Sequence, residues 1–185
     1  AAASLGLDVI EPADPRASTI GWALDFADLD NDGLLDVLQA SGYDNSETVP
    51  EGTPLPDVVW RQTEPSVFLD LSTSAGIGSN ASRRGLLTAD FNGDGFLDVV
   101  LQSDHVAAEP QLFMNQCGEG QWIAVELIGP VENRSAIGAQ VSFEWTARNG
   151  ERRLQRREVS GPRAVNQTPT RVHQGMGLAD SVRVE

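Results

Sequence analysis

The sequence predicts an all-β protein in which two blade-like β-units are followed by a second, smaller β-domain. A nonapeptide pattern occurs twice, 62 residues apart, as DLDNDGLLD (residues 28–36, loop 1) and DFNGDGFLD (residues 90–98, loop 2). Short apolar runs typical of strands flank each copy, and apolar spacing of helical period does not persist anywhere in the chain. A repeat of about 60 residues built from short strands indicates blades or stacked β-units.

The flanks of the two nonapeptides predict a strand on each side of each acidic loop. GWALDFAD and RGLLTAD lead into the loops, and DVLQASG and DVVLQSD follow them as short, mostly buried strands. Residues 41–65 are rich in Pro, Glu, Asp and Ser, which predicts a long surface loop. That stretch leads into strand candidates at 57–60 and 66–69, and residues 69–75 allow at most one helical turn.

A change in composition near Gly118-Glu119-Gly120 predicts a domain boundary, with residues 1–116 in the first part and residues 117–185 in the second. Asn149-Gly150 is a strong hairpin signal in the second part because both turn residues tolerate positive φ. Apolar and polar side chains alternate before that turn, as in a half-buried strand. The strand candidates of the second part are 122–128, 139–145, 152–159 and 181–184.

The composition excludes several classes of function. The 185 residues include 27 acidic and 13 basic side chains, so the formal net charge is −14. Such a charge repels phosphate backbones, so no nucleic-acid partner is expected, and no apolar run approaches the ~20 residues of a membrane span. Cys117 is the only cysteine, which excludes an internal disulfide and a thiolate zinc site. With only two histidines, a metal ion would have to be held by oxygen atoms.

The alternating acids of loops 1 and 2 predict two metal sites. Counted from the first Asp, positions 1, 3, 5 and 9 carry carboxylate or amide side chains, and position 7 would offer its backbone carbonyl. Carboxylates in one tight turn repel each other unless a cation lies between them. With a water, these groups reach the roughly 6–8 oxygens that Ca²⁺ prefers, so about two Ca²⁺ per chain are expected. The predicted ligands are Asp28, Asp30, Asp32, Leu34 and Asp36 in loop 1, and Asp90, Asn92, Asp94, Phe96 and Asp98 in loop 2.

The loops have alternatives that fit less well. Mg²⁺ demands strict octahedral geometry and keeps its waters. An EF-hand also begins DxDxDG, but its twelfth position should be Glu and is Gln39 or Leu101 here. An acidic turn held by Asx hydrogen bonds without a metal is weakened by the presence of two copies in register. In any of these loops, the Asn or Gly residues at positions 4 and 6 accept left-handed φ values.

Two resemblances extend this prediction. GWALDFADLDNDGLLDVLQASG and RRGLLTADFNGDGFLDVVLQS resemble the FG-GAP/VCBS repeats of integrin-type β-propellers. NRSAIGAQVSFEW and the later HQGMG phrase, with His173, Gly175 and Gly177, resemble the ASPIC/UnbV domain that follows such repeats. The resemblance implies β-propeller-type blades, here a fragment of about two repeats, and then a small β-sandwich-like domain. It also implies Ca²⁺ in the acidic loops and a longer, secreted or surface parent protein.

These observations predict a non-enzymatic, Ca²⁺-stabilised module for adhesion, recognition or assembly in an extracellular, periplasmic or cell-surface setting. Its expected partners are other proteins, surface glycans or the rest of a larger assembly. His105 and His173 are the only imidazoles, and no nucleophile motif accompanies them. Two alternatives stay open: a structural subunit of a larger complex, and the non-catalytic part of a polysaccharide-active enzyme. The role of the cluster from Arg152 to Arg157, whose arginines would divide between the two faces of a strand, also stays open.

Overall fold

The computed structural model describes residues 20–42, 56–77, 81–103, 109–116, 118–161 and 169–185. These residues form twelve β-strands and one 3₁₀ turn at Val131–Asn133, with no α-helix among them. The all-β prediction is therefore confirmed. Within the same ranges, no helix is long and apolar enough to cross a membrane. His105, Cys117 and residues 43–55 of the predicted surface loop lie outside the described residues. Residues 41–42 and 58–64 belong to strands, so the loop predicted at 41–65 is shorter than expected.

Each nonapeptide joins the first two strands of its own antiparallel sheet, as the flanking sequences predict. The first sheet has the order β1-β2-β3-β4 and the second has the order β5-β6-β7. The first sheet consists of β1 Ile20–Ala27, β2 Asp36–Gly42, β3 Val58–Glu64 and β4 Val67–Asp70. The second consists of β5 Arg83–Ala89, β6 Asp98–Ser103 and β7 Gln111–Phe113. The last Asp of each nonapeptide is thus the first residue of a strand.

The two sheets pack against each other through small and branched side chains. Their shared core contains Ala23, Ala27, Leu38, Ala40, Val59, Ile77, Leu86, Val99 and Leu101. Polar contacts also cross the interface: Thr88 Oγ1 donates to Asp25 Oδ2 at 2.6 Å, and buried Arg83 lies 3.7 Å from the Asp57 carboxylate. Because a buried charge is costly without a partner, the Arg83–Asp57 pair disfavours separation of the two sheets.

The second part of the chain is a small sandwich of two antiparallel sheets. β8 Gln121–Val125 pairs with β11 Val172–Gly177, and β9 Gln140–Thr146 lies between β10 Arg152–Glu158 and β12 Val182–Val184. The hairpin at Asn149-Gly150 is confirmed, although of the two turn residues only Gly150 has a positive φ, of 84°, and the connection runs from the end of β9 at Thr146 to the start of β10 at Arg152. The sheets enclose a second core, separate from the first, that contains Val141, Phe143, Trp145, Val159, Val172, Met176 and Ala179.

Candidate metal centre

Loops 1 and 2 fold into the same hydrogen-bonded structure. In both loops, four side chains accept a hydrogen bond from a backbone N–H group of the same loop. The side chain at position 1 accepts from the N–H of position 6, and the side chain at position 3 accepts from the N–H of position 5. The side chain at position 5 accepts from the N–H of position 7, and the side chain at position 9 accepts from the N–H of position 2. These eight bonds measure 2.7 to 3.3 Å. The left-handed φ values expected at positions 4 and 6 are confirmed: 58° at Asn31, 90° at Gly33, 77° at Gly93 and 89° at Gly95.

The carboxylate at position 9 bonds each loop to the third strand of its sheet or to the segment directly after that strand. Asp36 Oδ1 accepts the N–H of Gln62 at 2.8 Å, and Asp98 Oδ1 accepts the N–H of Asn115 at 2.8 Å. Both carboxylates are buried, so these backbone bonds offset part of their desolvation. Each oxygen keeps a second lone pair, which leaves the predicted ligand role chemically open.

Three carboxylates of loop 1 converge on one point. Oxygens of Asp28, Asp30 and Asp32 lie within 4.8 Å of one another, a spacing that a single metal ion can bridge. Asp28 is only 2% exposed, and its Oδ1 accepts no hydrogen bond from the described residues. A buried carboxylate oxygen without a donor is costly unless a proton or a cation meets it. The donors are all oxygens, which suits Ca²⁺ or Mg²⁺ and not a soft transition metal.

Burial and mutual repulsion raise the pKa values of these acids. Burial, followed by the charge of Asp32, raises the pKa of Asp28 to about 8. Burial also raises the pKa of Asp36 to about 7, with smaller contributions from Asp30 and Asp32. The pKa of Asp32 is raised mainly by its own burial. Without a cation, Asp28 therefore carries a proton near neutral pH, and a bound divalent ion would displace it.

Loop 2 exposes its middle residues to solvent, and the side chains at its positions 1 and 3 bond within the loop. Asn92, Gly93 and Asp94 are exposed. Asn92 Nδ2 donates to Asp94 Oδ2 at 2.7 Å, and Asp90 Oδ1 accepts the N–H groups of Gly93 and Asp94 at 2.7 and 3.1 Å. Position 3 is an amide here, so loop 2 has one carboxylate fewer than loop 1 and less repulsion to relieve.

Asn31, at position 4 of loop 1, joins both loops to the second part of the chain. Its side chain is fully buried. Asn31 Nδ2 donates to Gly95 O of loop 2 at 2.9 Å, and its Oδ1 lies 2.7 Å from His173 Nε2 in β11. The backbone oxygen of Asn31 accepts the N–H of Gly177 at 2.6 Å. One residue thus connects three segments that are far apart in the sequence.

His173 packs as a neutral anchor between the two parts of the chain. Its ring stacks on Trp122 with 5.8 Å between centroids. Burial lowers the pKa of His173 to about 4, so the imidazole is uncharged at neutral pH. Because Asn31 uses its amide N–H₂ on Gly95, its oxygen is the acceptor and His173 Nε2 is the donor.

Gly175 marks the closest approach of β11 to loop 1. A Cβ atom at this position would lie 2.2 Å from Asp28 Oδ2 and 2.5 Å from Asn31 Cα. Side chains larger than that of glycine cannot fit there without a shift of the backbone. The HQGMG phrase singled out in the sequence therefore forms an interface with the first acidic loop.

Strand β10 covers loop 1 with the inner half of its arginine cluster. Arg153 Nη1 donates to Asp32 O at 3.2 Å, and Gln155 Nε2 donates to Gly33 O. Arg157 is half-buried on the same face and lies close enough to Asp28 for that carboxylate to counteract the lowering of its pKa by burial. The predicted division of the arginines between two faces is confirmed. The outward, exposed side chains are Arg152, Leu154, Arg156 and Glu158.

Comparison with known proteins adds no family assignment. No protein-family model matches the chain, and no curated protein matches it. The resemblance to FG-GAP/VCBS repeats and to the ASPIC/UnbV domain therefore stays a prediction.

Three residues of this site were not indicated by the sequence patterns: Asn31 as a bridge, Arg61 beside Asp30, and Gly175 as a close contact. Position 4 differs between the loops, since it holds Asn in loop 1 and Gly in loop 2. Because Asn also accepts a left-handed φ, that difference alone does not identify a side-chain partner. The other two contacts join residues distant in sequence, so a local pattern does not reveal them.

Proposed function

We propose that this chain is a calcium-binding, non-catalytic module in which Ca²⁺ stabilises the loops between the first two strands of two propeller-type blades. One observation carries the proposal: Asp28 is buried with its Oδ1 lacking a hydrogen-bond donor among the described residues, and one of its carboxylate oxygens lies within 4.8 Å of carboxylate oxygens of Asp30 and Asp32. A cation relieves both the repulsion and the desolvation at this point.

The residues that would hold the ions are those at positions 1, 3, 5, 7 and 9 of each loop. Ca²⁺ suits such loops because it accepts about 6–8 oxygens in flexible geometry, from carboxylates, backbone carbonyls and water. A bound ion would neutralise the charges of the acidic side chains and would take part in no reaction. The protein contributes the matching hydrogen-bond scheme, which holds the side-chain oxygens of both loops in the same positions before an ion arrives.

The proposed setting is extracellular, periplasmic or at the cell surface, and the proposed role is adhesion, recognition or assembly with other proteins or surface glycans. Weak calcium sites suit compartments in which free Ca²⁺ is about millimolar. The resemblance to FG-GAP/VCBS repeats over residues 1–116, and to an ASPIC/UnbV domain over 117–185, supports the same setting.

Calorimetric titration of the chelator-treated chain with Ca²⁺, and with Mg²⁺ as a control, tests the proposal. We expect about two Ca²⁺ per chain, a higher melting temperature with Ca²⁺, and weaker binding of Mg²⁺. Asp28→Asn should remove one site and Asp94→Asn should weaken the other. A folded chain that binds no Ca²⁺ would reduce both loops to acidic turns and end the proposal.

A further inference from the structure

The two sheets place different residues at one equivalent position beside their acidic loops. The backbone N–H of Gln62 binds Asp36 in the first sheet, and that of Asn115 binds Asp98 in the second. Strand register gives the same alignment, because Val37 pairs with Trp60 and Val99 pairs with Phe113. Arg61 lies between Trp60 and Gln62 in the first sheet, and Met114 lies between Phe113 and Asn115 in the second. Arg61 and Met114 therefore occupy the same position beside their loops.

Arg61 extends its guanidinium to the acid cluster of loop 1. Its Nη2 forms an ion pair with Asp30 Oδ2, and Asp30 is the position-3 residue of the loop. The positive charge of Arg61 also opposes the rise in the pKa of Asp32. Met114 is uncharged and 41% exposed, so it brings no positive charge to loop 2.

We propose that Arg61 is a tethered cation that competes with the metal ion for loop 1, so that loop 2 fills at lower Ca²⁺ concentration and loop 1 fills only when Arg61 leaves Asp30. This inference rests on the proposed calcium-binding function. A guanidinium paired with a ligand carboxylate blocks part of its coordination, and its charge repels an arriving divalent ion. Asp30 is 19% exposed, but the Arg61 side chain is 43% exposed, so its guanidinium can return to solvent when Ca²⁺ binds, and Arg61 lowers the affinity without abolishing the site.

Calcium calorimetry on single-loop backgrounds tests the inference. One background keeps loop 1 alone (Asp90→Asn with Asp94→Asn), and the other keeps loop 2 alone (Asp28→Asn with Asp32→Asn). In the first background, Arg61→Met should tighten Ca²⁺ binding by about three- to tenfold, whereas Arg61→Lys, which keeps the charge, should stay near the parent value. In the second, Met114→Arg should weaken Ca²⁺ binding by a similar factor.

The outcomes separate this inference from the function on which it rests. If Arg61→Met leaves the affinity of loop 1 unchanged or weakens it while Ca²⁺ still binds, Arg61 organises Asp30 and does not compete, and the inference is overturned. If the parent chain and both backgrounds bind no Ca²⁺, the proposed function fails and the inference fails with it. Thermal melts of every variant show whether a change reflects folding, and Arg61→Gln provides a second neutral variant if Arg61→Met does not fold.

Discussion

Loop 1 is covered by β10 and β11 and paired with Arg61, whereas loop 2, with the same internal hydrogen bonds, exposes its central residues to solvent. The backbone of an acidic nonapeptide is thus set locally by its own side chains. The burial of the acidic side chains, the repulsion between them and their access to ions are set by the residues that pack against the loop. Similar sequences therefore give similar loops with different electrostatics.

The charge distribution of the chain favours contact between β10 and the acidic first part of the chain. Residues 1–116 carry nineteen acidic side chains and four arginines, and residues 117–185 carry eight acidic side chains and nine arginines. Attraction between the two parts favours contact of the arginine-rich strand β10 with an acidic loop. Arg153 and Arg157 face loop 1 in this contact.

The largest effect is expected where loop 1 meets β11. Gly175→Ala would place a Cβ atom 2.2 Å from Asp28 Oδ2, so we expect a loss of about 3 kcal/mol in the free energy of unfolding. Denaturant titration measures it. Gly161→Ala is the matched control, because its Cβ would meet only Ile137 at 3.4 Å. Equal stability of the two variants would contradict the close packing of β11 on loop 1.

Exchanging position 4 between the loops tests the bridging role of Asn31. Asn31→Gly leaves His173 Nε2 and Gly95 O without their buried partner, so a loss of about 2 kcal/mol is expected. Gly93→Asn introduces the same side chain where a Cβ meets nothing within 4 Å, at a left-handed φ of 77° that Asn tolerates better than most residues, so the loss should stay below about 1 kcal/mol. Two equally small effects would show that loop 1 is not held by Asn31.

The chelated chain should become less stable as pH rises from about 6.5 to 8.5. The pKa values of Asp28 and Asp36 in the folded state, about 8 and 7, exceed the value of about 3.9 in an unfolded chain. Between about pH 3.9 and those values the folded state binds more protons than the unfolded chain, so stability falls as pH rises and levels off above the folded pKa values. His173, whose folded pKa burial lowers to about 4, affects the dependence only up to its unfolded pKa of about 6.5, so the fall above that pH belongs to the acids.

Thermal melts measure this pH dependence, with an expected fall in melting temperature of roughly 3–5 °C. Asp28→Asn should remove most of the fall, and the loop 2 counterpart Asp90→Asn should not. Saturating Ca²⁺ should flatten the dependence, because the ion keeps the carboxylates deprotonated. A fall of the same size in Asp28→Asn as in the parent would mean that other groups cause it.

The smallest effect concerns position 3, where loop 1 has Asp30 and loop 2 has Asn92. Asn92→Asp gives loop 2 the same ligand set as loop 1 and should raise its affinity for Ca²⁺ about threefold, because affinity follows the number of charged ligands. Calorimetry in the loop 2 background measures it, with Gln102→Glu as a control that adds a charge elsewhere on the exposed surface. An equal gain from both variants would attribute the effect to net charge.

The sequence predicted the elements with local signals and missed those that depend on distant contacts. The strands beside both loops, the strands after residue 57 and the Asn149-Gly150 hairpin have apolar patterns or turn residues of their own. β7 has only three residues, and β11 contains two glycines, so neither shows strand alternation. β11 needs Gly175 because its backbone touches loop 1, and no pattern within β11 contains that information.

The features of the candidate site also fall into those with a local sequence signal and those that depend on contacts distant in the sequence. The spacing of the acids predicted the two loops and the left-handed positions within them, because side-chain to backbone bonds over five residues are local. The burial of Asp28, the bridge through Asn31 and the pairing of Arg61 with Asp30 depend on contacts across 30 to 140 residues of chain. Those contacts decide how the two loops differ.

A crystal structure of the chain grown with millimolar Ca²⁺ would show whether both loops hold the ion. We expect one ion in each loop, with the loop 1 ion at roughly 2.3–2.6 Å from Asp28 Oδ1 and Arg61 turned away from Asp30. Water alone in both loops at saturating Ca²⁺, with the ion pair of Arg61 and Asp30 intact, would contradict this expectation.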